Sequence, residues 1–104
     1  MGYGLYKVSR PTEVIVLNTS TEVIHNITLN GNGFTINLGS LNPNESKSNS
    51  PTISGESGLE ISFKMKDEVY KKDDLAYLEK SSYGYKTLIT ISDKGNITSD
   101  RQHN

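Results

Sequence analysis

Tyr70, Tyr77, Tyr83 and Tyr85 gather four of the chain's six tyrosines into residues 70–85. A tyrosine is rigid and amphipathic, so such a group suits contact with a protein surface or stacking on a sugar. The competing role is architectural: a ring laid over the end of a β-sandwich, its hydroxyl tied to backbone. His25 offers an imidazole for a metal or for general-base chemistry. It sits among apolar neighbours, and the chain has no cysteine to complete a zinc-thiolate site. An ordinary strand histidine is the expectation. Gly55-Glu56-Ser57-Gly58 carries part of a nucleophile elbow, which needs Gly-x-Ser-x-Gly between a strand and a helix. Leu59 holds the place of the last glycine and the following residues read as strand, so Ser57 is expected to shape a turn. Asp67, Glu68, Asp73 and Asp74 bring oxygens of the kind calcium uses, but without EF-hand spacing and with Lys71 and Lys72 between them. They read as a solvated charged loop. No residue is assigned a catalytic or metal-binding role and no cofactor is expected. The candidate binding residues are the four tyrosines.

The elements that must position these groups are strands. In residues 58–66, Leu59, Ile61, Phe63 and Met65 alternate with Glu60, Ser62, Lys64 and Lys66. A period of two over this length is a β-strand with one dry face and one wet face. Burying the four apolar side chains gains roughly 6–12 kcal/mol. Ordering the backbone of the stretch costs roughly 9–18 kcal/mol. The strand therefore requires a second apolar layer. Its wet face is mixed in charge and bears no aromatic residue, which points the search for function to residues 67–85.

Further strands are expected at 13–18, 22–29, 34–38, 85–92 and briefly at 97–99. In 22–29, strict alternation puts Val23, Ile27 and Leu29 on one face with His25. Asn30-Gly31-Asn32-Gly33 signals a hairpin, because Asn and Gly accept the backbone angles of a tight turn. Residues 42–45 read as a turn, 46–53 as a weak edge strand and 54–57 as a second turn. Residues 3–9 read as a short edge strand or a tail that docks late. Asp73–Lys80 has the spacing for two turns of helix with Leu75 and Leu78 inward. Asp93-Lys94-Gly95-Asn96 is a hairpin turn, and 100–104 reads as a frayed, disordered tail. The sum is an all-β, antiparallel two-sheet sandwich of seven or eight short strands, one domain over 3–99.

A net charge of −1 gives no electrostatic case for nucleic acid or an anionic membrane. No apolar run approaches the roughly 18 residues of a membrane span. The first residues lead straight into polar sequence, so export would depend on a signal removed from the native chain.

Val14-Ile-Val-Leu-Asn-Thr-Ser-Thr21, then a strand, then Leu38-Gly-Ser-Leu-Asn-Pro-Asn-Glu-Ser46, resembles bacterial immunoglobulin-like modules. In that pattern a turn glycine is replaced here by Asn44, which also tolerates positive φ. Gly55–Phe63, with Tyr77-Leu-Glu79 and Tyr83-Gly-Tyr85, is similar to small uncharacterised bacterial envelope proteins. The resemblance spans residues 13–92. It implies an immunoglobulin-like sandwich, commonly exported to the envelope or secreted, and brings no catalytic residues. The expected function is therefore non-catalytic: a binding module for a protein partner at the bacterial envelope. One alternative is a glycan or small-ligand module with the tyrosines as its platform. Another is a phage or assembly subunit that pairs through edges near 3–9 and 46–53.

Overall fold

Leu59, Ile61, Phe63 and Met65 are all buried, at 0–2% exposure, as their alternation requires. They lie on and beside one strand of a two-layer all-β molecule. The computed structural model describes residues 13–50, 57–75, 77–78 and 85–103, with backbone alone for Ser57, Tyr77, Leu78, Tyr85, Gln102 and His103. Strands β1 (Glu13–Asn18), β4 (Ser46–Asn49), β9 (Tyr85–Ser92) and β10 (Asn96–His103) form one sheet, ordered β10-β9-β1-β4. Strands β2 (Ile24–Gly31), β3 (Phe34–Leu41), β6 (Glu60–Met65) and β7 (Glu68–Lys72) form the other, ordered β3-β2-β6-β7. A two-residue ladder joins β5 (Ser57–Gly58) to β8 (Tyr77–Leu78). Among the described residues there are thus ten strands, eight of them in the two main sheets.

The core is where the two inner faces meet. Val14 and Val16 of β1 and Ile89 and Ile91 of β9 lie under one sheet; Ile24, Ile27, Leu29, Ile61 and Phe63 lie under the other. All nine are at most 1% exposed.

Four local expectations change. First, β2 does not alternate strictly. Asn26 takes φ +54° and the β2 ladders shift register between residues 24 and 28. This bulge turns both His25 and Asn26 outward and both Ile24 and Ile27 inward. A strict period of two would have exposed Ile24, and the bulge avoids it by inserting one residue. Gly39 (φ +76°) makes the compensating bulge on β3, so that Leu38 and Leu41 are both buried and the hairpin returns to register.

Second, one pairing is not antiparallel. β1 runs parallel to β9, with Glu13 opposite Lys86 and Asn18 opposite Ile91. Parallel neighbours need a long crossover, and here it is the whole of the second sheet. Third, Tyr77–Leu78 is a strand rather than part of a helix. A two-turn helix gains few hydrogen bonds for its nucleation cost, whereas pairing with Ser57–Gly58 satisfies backbone groups on both segments. Fourth, residues 100–103 are strand, not tail: Asp100 to His103 pair with Leu88 to Tyr85. Their polar side chains said tail, but their backbone completes the β9 ladder. The expected strand or docking segment at 3–9, and residues 51–53 of the expected edge strand, lie outside the described residues.

Each open side of the sandwich is closed by one lysine. Lys47 of β4 lies opposite the inward Val16, and its Nζ donates to the carbonyl of Leu38 on β3, at 2.9 Å. Lys72 of β7 lies opposite the inward Ile61, and its Nζ donates to the carbonyl of Ile97 on β10, at 3.1 Å. In both cases an edge strand of one sheet sends a cation to the edge strand of the other. Inward charges on edge strands hinder the addition of a foreign strand.

Candidate functional site at the turn end

The strand directions collect four connections at one end: residues 19–23, 42–45, 66–67 and 93–95. Asn18, at the end of β1, is fully buried and organises them. Its Nδ2 donates to the carbonyls of Glu22 (2.8 Å) and Leu41 (3.1 Å). Its Oδ1 accepts from the backbone N–H (2.9 Å) and hydroxyl (2.6 Å) of Ser20. All four hydrogen-bonding positions of the amide are filled. The Asn18 backbone also bonds to Glu45 and Asn44 on either side. Asp93 accepts from the Thr21 N–H at 3.0 Å, tying the 19–23 and 93–95 connections together. Glu22 and Lys66 form an ion pair at 3.6 Å, tying 19–23 to 66–67.

Between these connections lies a cleft of about 410 Å³, lined by Thr21, Glu22, Met65, Lys66, Tyr70, Asp93 and Lys94. Met65 and the Tyr70 ring give it an apolar floor, and the rest a charged rim. On the other side of the Glu22–Lys66 pair is a shallower basin bordered by Val23, His25, Asn26, Lys64 and Asp67. Lys66 and Asp67 form the two-residue turn between β6 and β7, both at positive φ (+51° and +66°). Lys94 is also there, at +67°. Left-handed backbone costs a residue with a Cβ roughly 1–2 kcal/mol, and asparagine or glycine would relieve it.

Tyr70 belongs to this end. Its ring stacks on Phe63, with centroids 5.3 Å apart and planes 17° apart. It crosses to the other sheet and lies against Gly95, where any Cβ would overlap it. Its hydroxyl donates to Glu68 at 3.0 Å. That hydrogen bond, with partial burial and the nearby negative charge, raises the phenol above its ordinary value. Tyr70 thus packs as the alternative to recognition expects, but its hydroxyl bonds the Glu68 carboxylate rather than backbone.

Tyr85 starts β9 opposite His103, at the far end of the strand from Gly95. A strand of that length separates it from Tyr70 by about 25 Å. Tyr77 pairs with Gly58 in the small ladder. The side chains of Tyr77 and Tyr85, and all of Tyr83, lie outside what the structure describes. His25 is exposed, its Nδ1 3.2 Å from the Ser40 hydroxyl. Where the sequence reads as a charged loop, Glu68–Lys72 is the strand β7, and its length holds Asp67 and Glu68 away from Asp73 and Asp74. Among the described residues, no three His, Asp or Glu side chains gather into a metal site, and no helix is long and apolar enough to cross a membrane.

Sequence reasoning passed over Lys66 and Lys94 because their residue types carry no motif. The signal available was their position in short turns, where asparagine or glycine is expected.

No family model matches the chain, and no curated protein matches it. An NMR structure of a protein from Eubacterium rectale is similar, with a TM-score of 0.64 at 13% identity, covering 91% of each chain. At that identity the likeness shows the fold alone. It supports an all-β chain of two packed sheets.

Proposed function

We propose that this chain is a non-catalytic binding module that meets a protein partner through its turn end. The observation that carries this reading is the trio Lys66, Asp67 and Lys94, held at positive φ around one knitted surface. Backbone strain persists where a side chain is needed in place, and such residues concentrate at functional sites. The bonds that link the connections fix the surface before any partner arrives, which lowers the ordering cost of association. An immunoglobulin-like kinship, as the Leu38–Ser46 segment implies, is part of the proposal. So is a place at the bacterial envelope or outside the cell.

Two other readings have less support. A glycan platform built on Tyr70 conflicts with the engagement of its ring by Phe63 and Gly95. Assembly through the β4 edge conflicts with the inward Lys47.

The test replaces Lys66-Asp67 by Asn-Gly, the pair that suits a two-residue hairpin turn. The change should stabilise the fold by about 1–2 kcal/mol. A photo-crosslinker at Lys94, used in the source cells, should give a discrete adduct. Excess unlabelled protein should compete for it, and the K66N/D67G variant should lose it. Equal capture from a crosslinker at Thr35, at the opposite end, would overturn the proposal. So would full capture by the K66N/D67G variant.

A further inference from the structure

We propose that Asn32 is a site of spontaneous deamidation directed by the fold, and that Asn30, in the same Asn-Gly-Asn-Gly run, is shielded from it. Both asparagines precede a glycine, whose missing side chain leaves its amide nitrogen open to attack. The sequence therefore offers two equivalent sites, and the fold makes them unequal.

Asn30 lies inside β2, between Thr35 of β3 on one side and Glu60 of β6 on the other. Its side chain is engaged twice: Oδ1 accepts from the Thr35 hydroxyl at 3.0 Å, and Nδ2 donates to Glu60 at 3.4 Å. An extended residue directs its side chain out from the strand, away from the next backbone nitrogen. Reaction at Asn30 thus requires two ladders and two side-chain bonds to open. Asn32 and Gly33 form the two-residue tip beyond the last pair, Gly31 with Phe34. Both are exposed, and Gly33 has φ +86°. A hairpin tip opens locally at far lower cost than an interior strand.

The chemistry needs only water. The backbone nitrogen of Gly33 bonds to Cγ of Asn32 and gives up its proton. The bond from Cγ to the side-chain nitrogen breaks, and ammonia leaves with that proton. One water then opens the cyclic imide at either carbonyl, giving aspartate or isoaspartate. Water is consumed, ammonia is released and nothing is oxidised or reduced. The aspartate product puts a negative charge on the tip. The isoaspartate product adds a methylene to the backbone of a turn whose geometry depends on two residues.

The folded protein, aged in mildly alkaline buffer, is digested and mapped by mass spectrometry, with enzymatic methylation to report isoaspartate. Product at Asn32 should exceed product at Asn30 on the order of tenfold or more. In urea-unfolded chain the two should approach parity, and N32Q should remove most of the folded-state product. Equal reaction at both sites in the folded protein would overturn the proposal, and so would a folded protein that leaves Asn32 unmodified. Neither result bears on whether the turn end binds a partner.

Discussion

The two ends of the sandwich are held by bonds of different reach. At the turn end, Thr21 meets Asp93 across 72 positions of sequence, and Asn18 meets Leu41 across 23. Towards the hairpin end, Thr35 meets Asn30 across 5 positions, and Thr28 meets Asn37 across 9. Both long-range bonds, the buried Asn18–Leu41 and the exposed Thr21–Asp93, join groups that the tertiary fold must bring together. The short-range bonds are already implied by one hairpin. Apart from the Asn30–Glu60 bond, which crosses 30 positions to β6, the hairpin end is held within one hairpin, so damage should spread further from the turn end than from the hairpin end.

Gly95→Ala should test this most severely. The new Cβ would occupy space held by the Tyr70 ring, at a position whose φ is +73°. Expelling the ring would also undo its stack on Phe63. A loss of about 3–5 kcal/mol is expected in urea unfolding, combining overpacking, backbone strain and the lost ring pair. In the G95A/Y70A double variant the two losses should fall well short of additive, because both remove the same contact. Additivity would mean that the ring and the glycine do not act as one unit.

Asn18→Ala comes next. It leaves the carbonyls of Glu22 and Leu41 and the N–H of Ser20 without their partner, in a buried setting. About 2–4 kcal/mol should be lost. Thr35→Ala, which removes an exposed bond at the other end, should cost less than about 0.5 kcal/mol. Comparable losses at the two positions would erase the distinction between the ends.

The smallest effect is the titration of Tyr70. Its phenol is raised above 10.0 in the folded state, first by the hydrogen bond to Glu68. A proton held more tightly in the folded state stabilises it only while that proton is bound. The contribution is full below the ordinary tyrosine value of 10.0 and disappears as pH rises through the raised one. Glu68→Gln should lower one tyrosine transition in the near-ultraviolet titration and leave the others in place. No displaced transition would mean that the Tyr70–Glu68 bond does not persist in solution.

How far the sequence reveals this structure depends on how local each feature is. The alternation from Leu59 to Met65 and the turn at Asn44 (φ +65°) follow from neighbouring residues, and both are present. Only part of the β2 face follows: Ile27 and Leu29 point inward as alternation requires, but the bulge at Asn26 turns His25 outward and Ile24 inward. Nothing in Ile-His-Asn-Ile announces the reversal except that it buries both isoleucines. The parallel pairing of β1 with β9 is invisible to any local pattern. Asn18 reads in sequence as a turn former, and its burial emerges only when Leu41 arrives beside it. Tyr70 shares the tyrosine cluster with Tyr85 in sequence but closes the opposite end of the molecule from where β9 starts.

That parallel pairing also bears on how the molecule is made. β1 emerges early during synthesis, yet its neighbour β9 follows only after the second sheet is complete. A contact between distant segments must await its later partner and bear the entropy of closing the intervening loop. Residues 24–72 contain all four strands of the second sheet, two hairpins joined by one longer connection. They can pair while β9 is still inside the ribosome. The order of assembly is then set by topology: the second sheet first, with its apolar face waiting, while β1 has only β4 beside it until β9 arrives. During that interval β1 has only the short β4 as a neighbour, so Val14 and Val16 belong to a half-paired, aggregation-prone segment, and a chaperone acting on the nascent chain would find its clearest target there.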